Sequence, residues 1–344
     1  MHQLSHAESG LISSLFSNEN SQCLAQFYQD TPPYLNKESL KKKAFPICFN
    51  GFNVMYSGLS KTPLWSADHL TIERLSQRIK REDHFHEETK IPAIYRSTLQ
   101  DYRASGYDRG HMSPNADMSN TTSQYDSFSL ANIVPQAPKN NQEVWRKLEE
   151  ATRAVVKKHK QDVYVVTGPI YSSKRLNQIG NGVLVPNAIF KAVYFPKTDI
   201  IGAYYAVNNN SQQVHITSIC EIEDLTGMNL FPTLTEQKKR KIYQLPLDAN
   251  DVKTNKKIEY LNWDAQSQCA EDVADDQLLA LKKQFKPVGV LHDISFDQAA
   301  SQSNSAEQSE PKDGSILQNL IHKIMKDLQD SIITAILKLF KSGV

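Results

Sequence analysis

Apolar residues in the central part of the chain fall in short runs. Phe128–Val134, Val163–Thr167, Ala188–Phe195 and Ile200–Val207 are apolar and β-branched, and Gly, Pro or Asn bounds them, while Phe52–Ser57 alternates apolar with polar positions. Such runs predict strands. A longer period begins after Pro135 and Pro138, where Val144, Leu148, Ala151 and Val155 recur at four-three-four spacing in a stretch free of Gly and Pro. That spacing predicts a helix from about Asn140, with a buried stripe and with Asn141, Glu149 and Arg153 on an adjoining face. Shorter helices are expected over Thr71–Ile79 and near Ile219. Strands joined mostly by turns, with few helices between them, predict an α+β fold in which helices pack on a central antiparallel sheet.

The two ends depart from this pattern. Residues 1–44 are polar, contain Thr31-Pro32-Pro33 and read as an irregular arm, and residues 45–295 form the main domain. A Ser/Gln/Asn/Glu-rich linker follows over residues 296–315, too poor in apolar side chains to fold by itself. Residues 316–341 then set Leu317, Leu320, Ile321, Ile324, Leu328, Ile332, Ala335, Ile336 and Leu339 in one helical stripe with lysines opposite. This amphipathic helix needs a cover, and three remain open: its own main domain, a second copy as a homodimer, or a membrane surface.

Composition changes the picture only slightly. The chain has 344 residues, 40% of them hydrophobic, which is enough for a sizeable core. Its 39 Lys and Arg against 38 Asp and Glu leave a net charge of +1, so any polyanion must be met by a local cluster of cations. Between Arg74 and Lys160 positive residues modestly outnumber negative ones. No stretch is apolar and long enough to span a membrane. The first residues lack the pattern of a signal peptide, as the mature form of a secreted chain would after removal of its leader. Four cysteines, Cys23, Cys48, Cys220 and Cys269, allow three pairings or four packed thiols.

Candidate chemistry centres on Ser105–His111, where Asp108, Arg109 and His111 follow one another on a turn flanked by Gly106 and Gly110. Arg109 offers a planar fork of donors suited to phosphate oxygens, and His111 can take a proton from water near neutral pH. A loop histidine satisfied by backbone groups would look the same. The helix face carrying Asn141 and Glu149 supplies amide and carboxylate oxygens of the kind that suit a hard cation such as Mg²⁺. His84 and His86 with Glu87 form a weaker metal candidate, since alternate residues share a strand face. No GxxxxGK phosphate loop occurs, and Gly180-Asn181-Gly182 lies between predicted strands where a dinucleotide fingerprint does not fit.

Taken together, Tyr102–His111 with its DRGH sequence, Ser129–Gln136, Asn140–Trp145 and the following Glu149 resemble the DNA/RNA non-specific endonuclease family of the ββα-metal nucleases. Thr62–Trp65, Asp162–Pro169 and Leu225–Gly227 extend the resemblance over roughly residues 45 to 250. It implies a ββα-metal motif and Mg²⁺-dependent hydrolysis of DNA and RNA, with Mn²⁺ as a substitute cation. His111 would be the general base, Asn141 the metal ligand, and Glu149 would act on the metal through water. Arg109, Arg81 and Arg153 would meet phosphate charge, Arg81 being matched through Arg81-Glu82-Asp83-His84-Phe85, and Asp108 would support the turn. Bacterial relatives imply a Cys23–Cys48 bridge and hence a secreted or periplasmic protein, with the cytoplasm left open. Two other readings stay available: a metal-dependent phosphodiesterase of nucleotides or small esters, and an inactive nucleic-acid-binding relative.

Overall fold

A computed structural model describes residues 21–77 and 79–287. The polar linker and the amphipathic C-terminal helix expected from the sequence lie outside the described residues. Along the chain the main elements are β1 (Ala44–Phe49), β2 (Phe52–Ser57), β3 (Thr62–Leu70), α1 (Ile72–Ser76), β4 (Asp108–His111), α2 (Thr121–Ser127) and β5 (Ile133–Gln136). They continue with α3 (Arg146–His159), β6 (Val163–Ile170), β7 (Ala188–Phe195), β8 (Ile200–Val207), β9 (Val214–Thr217), α4 (Ile219–Thr226), β10 (Lys241–Tyr243), β11 (Tyr260–Trp263) and α5 (Asp275–Lys282).

A seven-stranded sheet in the order β9-β8-β7-β6-β3-β2-β1 forms the centre, and each neighbouring pair is antiparallel. The sheet is buried on both faces, which is why its inner strands read as continuous apolar runs. Period two along β7 divides it, with Phe190, Ala192 and Tyr194 entering one core and Ile189, Val193 and Phe195 the other. The first core is closed by Phe27, by Ile219 and Ile222 of α4 and by Leu281 of α5, and Phe285 stacks on Trp65 and meets Phe27 edge-on. Described residues of the N-terminal arm therefore belong to the sheet's core. Cys23 is joined to Cys48 of β1 with their Cα atoms 5.7 Å apart, and Cys220 to Cys269 across 49 positions of sequence.

The opposite face carries Trp145 and then Leu148, Val155 and Val156 of α3, with Ala151 also fully buried. The connection from β3 to β6, residues 71–162, holds α3 together with the antiparallel β4–β5 hairpin. Two strands and a helix thus stand as one motif on this face. No helix among the described residues is long and apolar enough to cross a membrane.

Two local expectations are corrected. Phe128–Val134 is not one strand: Leu130–Asn132 makes a 3₁₀ turn and pairing starts only at Ile133. Asn132 imposes the turn, because its buried amide donates to the carbonyls of Ser113 and Ser127 while its Oδ1 accepts from Ser66 Oγ and the Ser113 N–H. Asp108–His111 is a strand rather than a turn, since the reversal is completed at Gly106, whose φ of 80° favours glycine, and the next residues pair with β5.

Candidate active site

Register sets the first half of the site. Asp108 pairs with Gln136, Arg109 with Pro135, Gly110 with Val134 and His111 with Ile133. Gly110 permits this closeness, because a Cβ there would meet the side chain of Gln136. Gln136 is itself anchored, donating to Asn140 Oδ1 at 2.6 Å, and Asn140 donates to the Val207 carbonyl of β8 at 2.9 Å. Asn208 adds a second tie, donating to the carbonyls of Pro135 and Pro186.

The helix opens with a π-turn over Asn140–Trp145 before it becomes α3. A π-turn changes which side chains line up, and it brings Asn141 and Gln142 to the same strand residue. Asn141 Nδ2 and Gln142 Nε2 both donate to Asp108 Oδ2, at 2.9 and 2.8 Å. With its amide nitrogen committed to Asp108, Oδ1 is the side-chain atom that Asn141 could offer a cation.

His111 stands in an aromatic slot. Its ring centroid lies 5.4 Å from Phe85 and 5.0 Å from Phe128. The Arg109 guanidinium covers the other ring of this slot, 4.1 Å from the Phe85 centroid, and Arg81 lies 5.5 Å from that of Phe128. Burial of the imidazole, reinforced by the charges of Arg81 and Arg109, pushes the His111 pKa down to about 3, so the ring is neutral at ordinary pH. Its Nε2 is buried and has no hydrogen-bond partner among the described residues. Such an orphaned atom in a slot beside two arginines marks a place for a guest.

Glu149 and Arg153 come from α3. Arg153 Nη1 holds the buried Asp117 at 2.7 Å. Burial of the Glu149 carboxyl raises its pKa to about 7 against the opposing pull of Lys191 and Arg153, although the residue as a whole keeps some exposure. Beneath these groups the register aligns Ser66, Thr167 and Lys191 across β3, β6 and β7, with Asp68 two residues along β3. The buried Lys191 Nζ donates to Thr167 Oγ1 at 3.0 Å and lies 5.4 Å from the Trp145 ring.

One open pocket of about 530 Å³ gathers Arg81, Asp108, Arg109, His111, Asn141, Glu149 and Arg153 into its lining. Residues far apart in sequence thus face one volume, which holds cations for an anionic guest, a neutral base and oxygen donors for a hard metal ion. The described residues from 33 to 237 match the family model for DNA/RNA non-specific endonuclease. The chain belongs to that family.

Within the DNA/RNA non-specific endonuclease family the chain is similar to the mitochondrial nuclease EXOG of Danio rerio, 31% identical over 205 residues, 53% of this chain and 60% of that one. It is similar to nuclease C1 of Cunninghamella echinulata var. echinulata, 30% identical over 238 residues, 62% of this chain and 90% of that one. Mitochondrial endonuclease G of Homo sapiens is 35% identical over 150 residues, 40% of this chain and 50% of that one. The match therefore spans from half to nine-tenths of these relatives' lengths.

The pocket of this endonuclease-family chain also has residues that sequence reasoning missed. Gln142, Arg146 and Glu150 line it, and Arg146 Nη1 pairs with Glu150 at 2.8 Å. Their i, i+4 spacing along one helix edge was an available signal. Asn115 lines the pocket from a 3₁₀ turn, and no spacing rule announces it. The weaker metal candidate is not gathered: His86 Nδ1 bonds the His84 carbonyl, and Glu87 pairs with Arg96 at 3.4 Å. The one acidic and sulfur group close enough to share an ion among the described residues is Cys220, Glu223 and Cys269, whose sulfurs form a disulfide.

Proposed function

We propose that this chain hydrolyses phosphodiester bonds of DNA and RNA without selecting sugar or sequence, using a divalent cation, Mg²⁺ or Mn²⁺. The observation that carries this reading is the single pocket joining His111, the three arginines, Asn141 and Glu149. His111 Nε2, neutral and unpartnered, takes the proton from the attacking water. Arg109, Arg81 and Arg153 meet the charge that grows on the phosphate oxygens. Asp108 fixes the Asn141 amide so that Oδ1 serves the cation. Glu149 would hold the cation through water. When bound, the cation would withdraw charge from the phosphate and from the departing oxygen. Groups of this kind address the phosphate backbone rather than base edges, so sequence indifference follows.

Both disulfides support work in an oxidising compartment, as a secreted or periplasmic protein. The functional reading is tested by incubating supercoiled plasmid and single-stranded RNA with the full chain in Mg²⁺ or in EDTA. Nicking of both in Mg²⁺ alone is expected. Hydrolysis of small phosphate diesters without any nicking would replace the reading with a phosphodiesterase, and binding without hydrolysis would replace it with an inactive relative.

A further inference from the structure

Next to the pocket, and outside its lining, lies a second aromatic cluster. His86 stacks on Tyr125 with centroids 4.3 Å apart and ring planes within 10°, and His84 approaches the same ring at 6.1 Å. Tyr125 is 48% exposed, and its hydroxyl forms no hydrogen bond among the described residues. One face of the tyrosine is therefore backed by an imidazole while much of the ring meets solvent.

The cluster is fixed to the catalytic slot by backbone bonds. The His86 N–H donates to the Phe128 carbonyl at 3.2 Å, and the Leu130 N–H donates to the His86 carbonyl at 2.8 Å. Phe128, which walls His111, follows Tyr125 by one helical turn, and its N–H donates to the Tyr125 carbonyl at 3.0 Å. Phe85, the other wall, directly precedes His86. The clamp that positions the rings around His111 thus also seats the rings of His86 and Tyr125. Arg81 lines the pocket and lies over Phe128, the wall that Tyr125 of α2 precedes.

We propose that Tyr125, backed by His86, is a stacking subsite for a nucleobase of the strand whose phosphate enters the pocket. This rests on the functional reading above. Every nucleobase offers a π face, so a flat aromatic ring beside a phosphate site grips a strand without reading its sequence. A base reaches such a ring only where it is free to leave its neighbours, so the subsite favours an unpaired strand over a closed duplex.

Binding of a labelled single-stranded oligonucleotide to the full chain in EDTA, followed by fluorescence anisotropy, tests the subsite. Tyr125→Ala is expected to weaken binding roughly 5- to 150-fold, the usual scale for losing one stacked base, and Tyr125→Trp to retain it. A chain of equal length made of sugar and phosphate without bases is expected to bind the wild type and Tyr125→Ala alike. Hydrolysis of a small chromogenic phosphodiester without a nucleobase is expected to be unchanged in Tyr125→Ala. Wild-type affinity of Tyr125→Ala for the oligonucleotide overturns the subsite, and so does an equal loss with the base-free chain. If the wild type hydrolyses no phosphodiester, the functional reading fails, while the comparison of chains with and without bases still decides the subsite.

Discussion

His111 is held neutral by its surroundings, because an imidazolium would lie among aromatic rings and beside two guanidinium groups. Its folded pKa of about 3, against 6.5 unperturbed, means that the unfolded chain takes up the proton first as pH falls. His111 therefore contributes a loss of stability that grows from about pH 6.5 down toward pH 3. Glu149 has the opposite sign. With a folded pKa of about 7 against 4.5, it favours the folded chain at low pH, and that contribution is lost as pH rises from about 4.5 to 7. In EDTA, Glu149→Gln is expected to melt increasingly above the wild type as pH is raised from 5 to 8. A difference in Tm that stays flat across that range would show that the carboxyl is not held protonated by burial.

At the scale of elements, the β4–β5 hairpin and the π-turn before α3 act as one unit through Asp108, Gln136 and Asn140. Gly110→Ala would drive a methyl group into Gln136, and overpacking of this kind costs about 1–3 kcal/mol. Urea denaturation is expected to show that loss together with reduced activity; an unchanged midpoint would mean that the hairpin opens without strain. The stripe Val144, Leu148, Ala151 and Val155 was legible because helical periodicity survives in sequence, and it is buried as expected. The π-turn was not legible, since the same residues satisfy an α-helical pattern and only the link to Asp108 distinguishes the two. Phe128–Asn132 misled for a related reason: its apolar Phe128, Leu130 and Ala131 run straight into the β-branched Ile133 and Val134 and read as one strand, but the buried amide of Asn132 outweighs that pattern.

Across the whole molecule, the antiparallel sheet was legible from its apolar runs, whereas the polar row beneath the pocket was not. Lys191 reads as one charge in an apolar strand until the register places it opposite Thr167 and under Trp145. Asp117 likewise gains meaning only through Arg153, which lies 36 positions away. The Cys23–Cys48 bridge closes 25 positions of chain around the core that contains Phe27. Removing it by Cys23→Ser with Cys48→Ser is expected to destabilise the protein by about 3 kcal/mol, the scale for a loop of that length. Peptide mapping without reduction, paired with thermal melts of the two proteins, checks this expectation. Free alkylation of both thiols in oxidised protein, or equal melting temperatures, would remove the bridge from the account of stability.

The most direct test of the site is a Mg²⁺ titration of plasmid nicking by the wild type, His111→Ala and Asn141→Ala. His111→Ala is expected to stay slower by roughly 10²-fold or more at every Mg²⁺ concentration, because the proposed general base is gone. Asn141→Ala is expected to need more Mg²⁺ for half-maximal rate and to recover part of its activity at high concentration. Identical Mg²⁺ dependence in the two variants, or wild-type rates in His111→Ala, would contradict the division of roles between base and metal ligand.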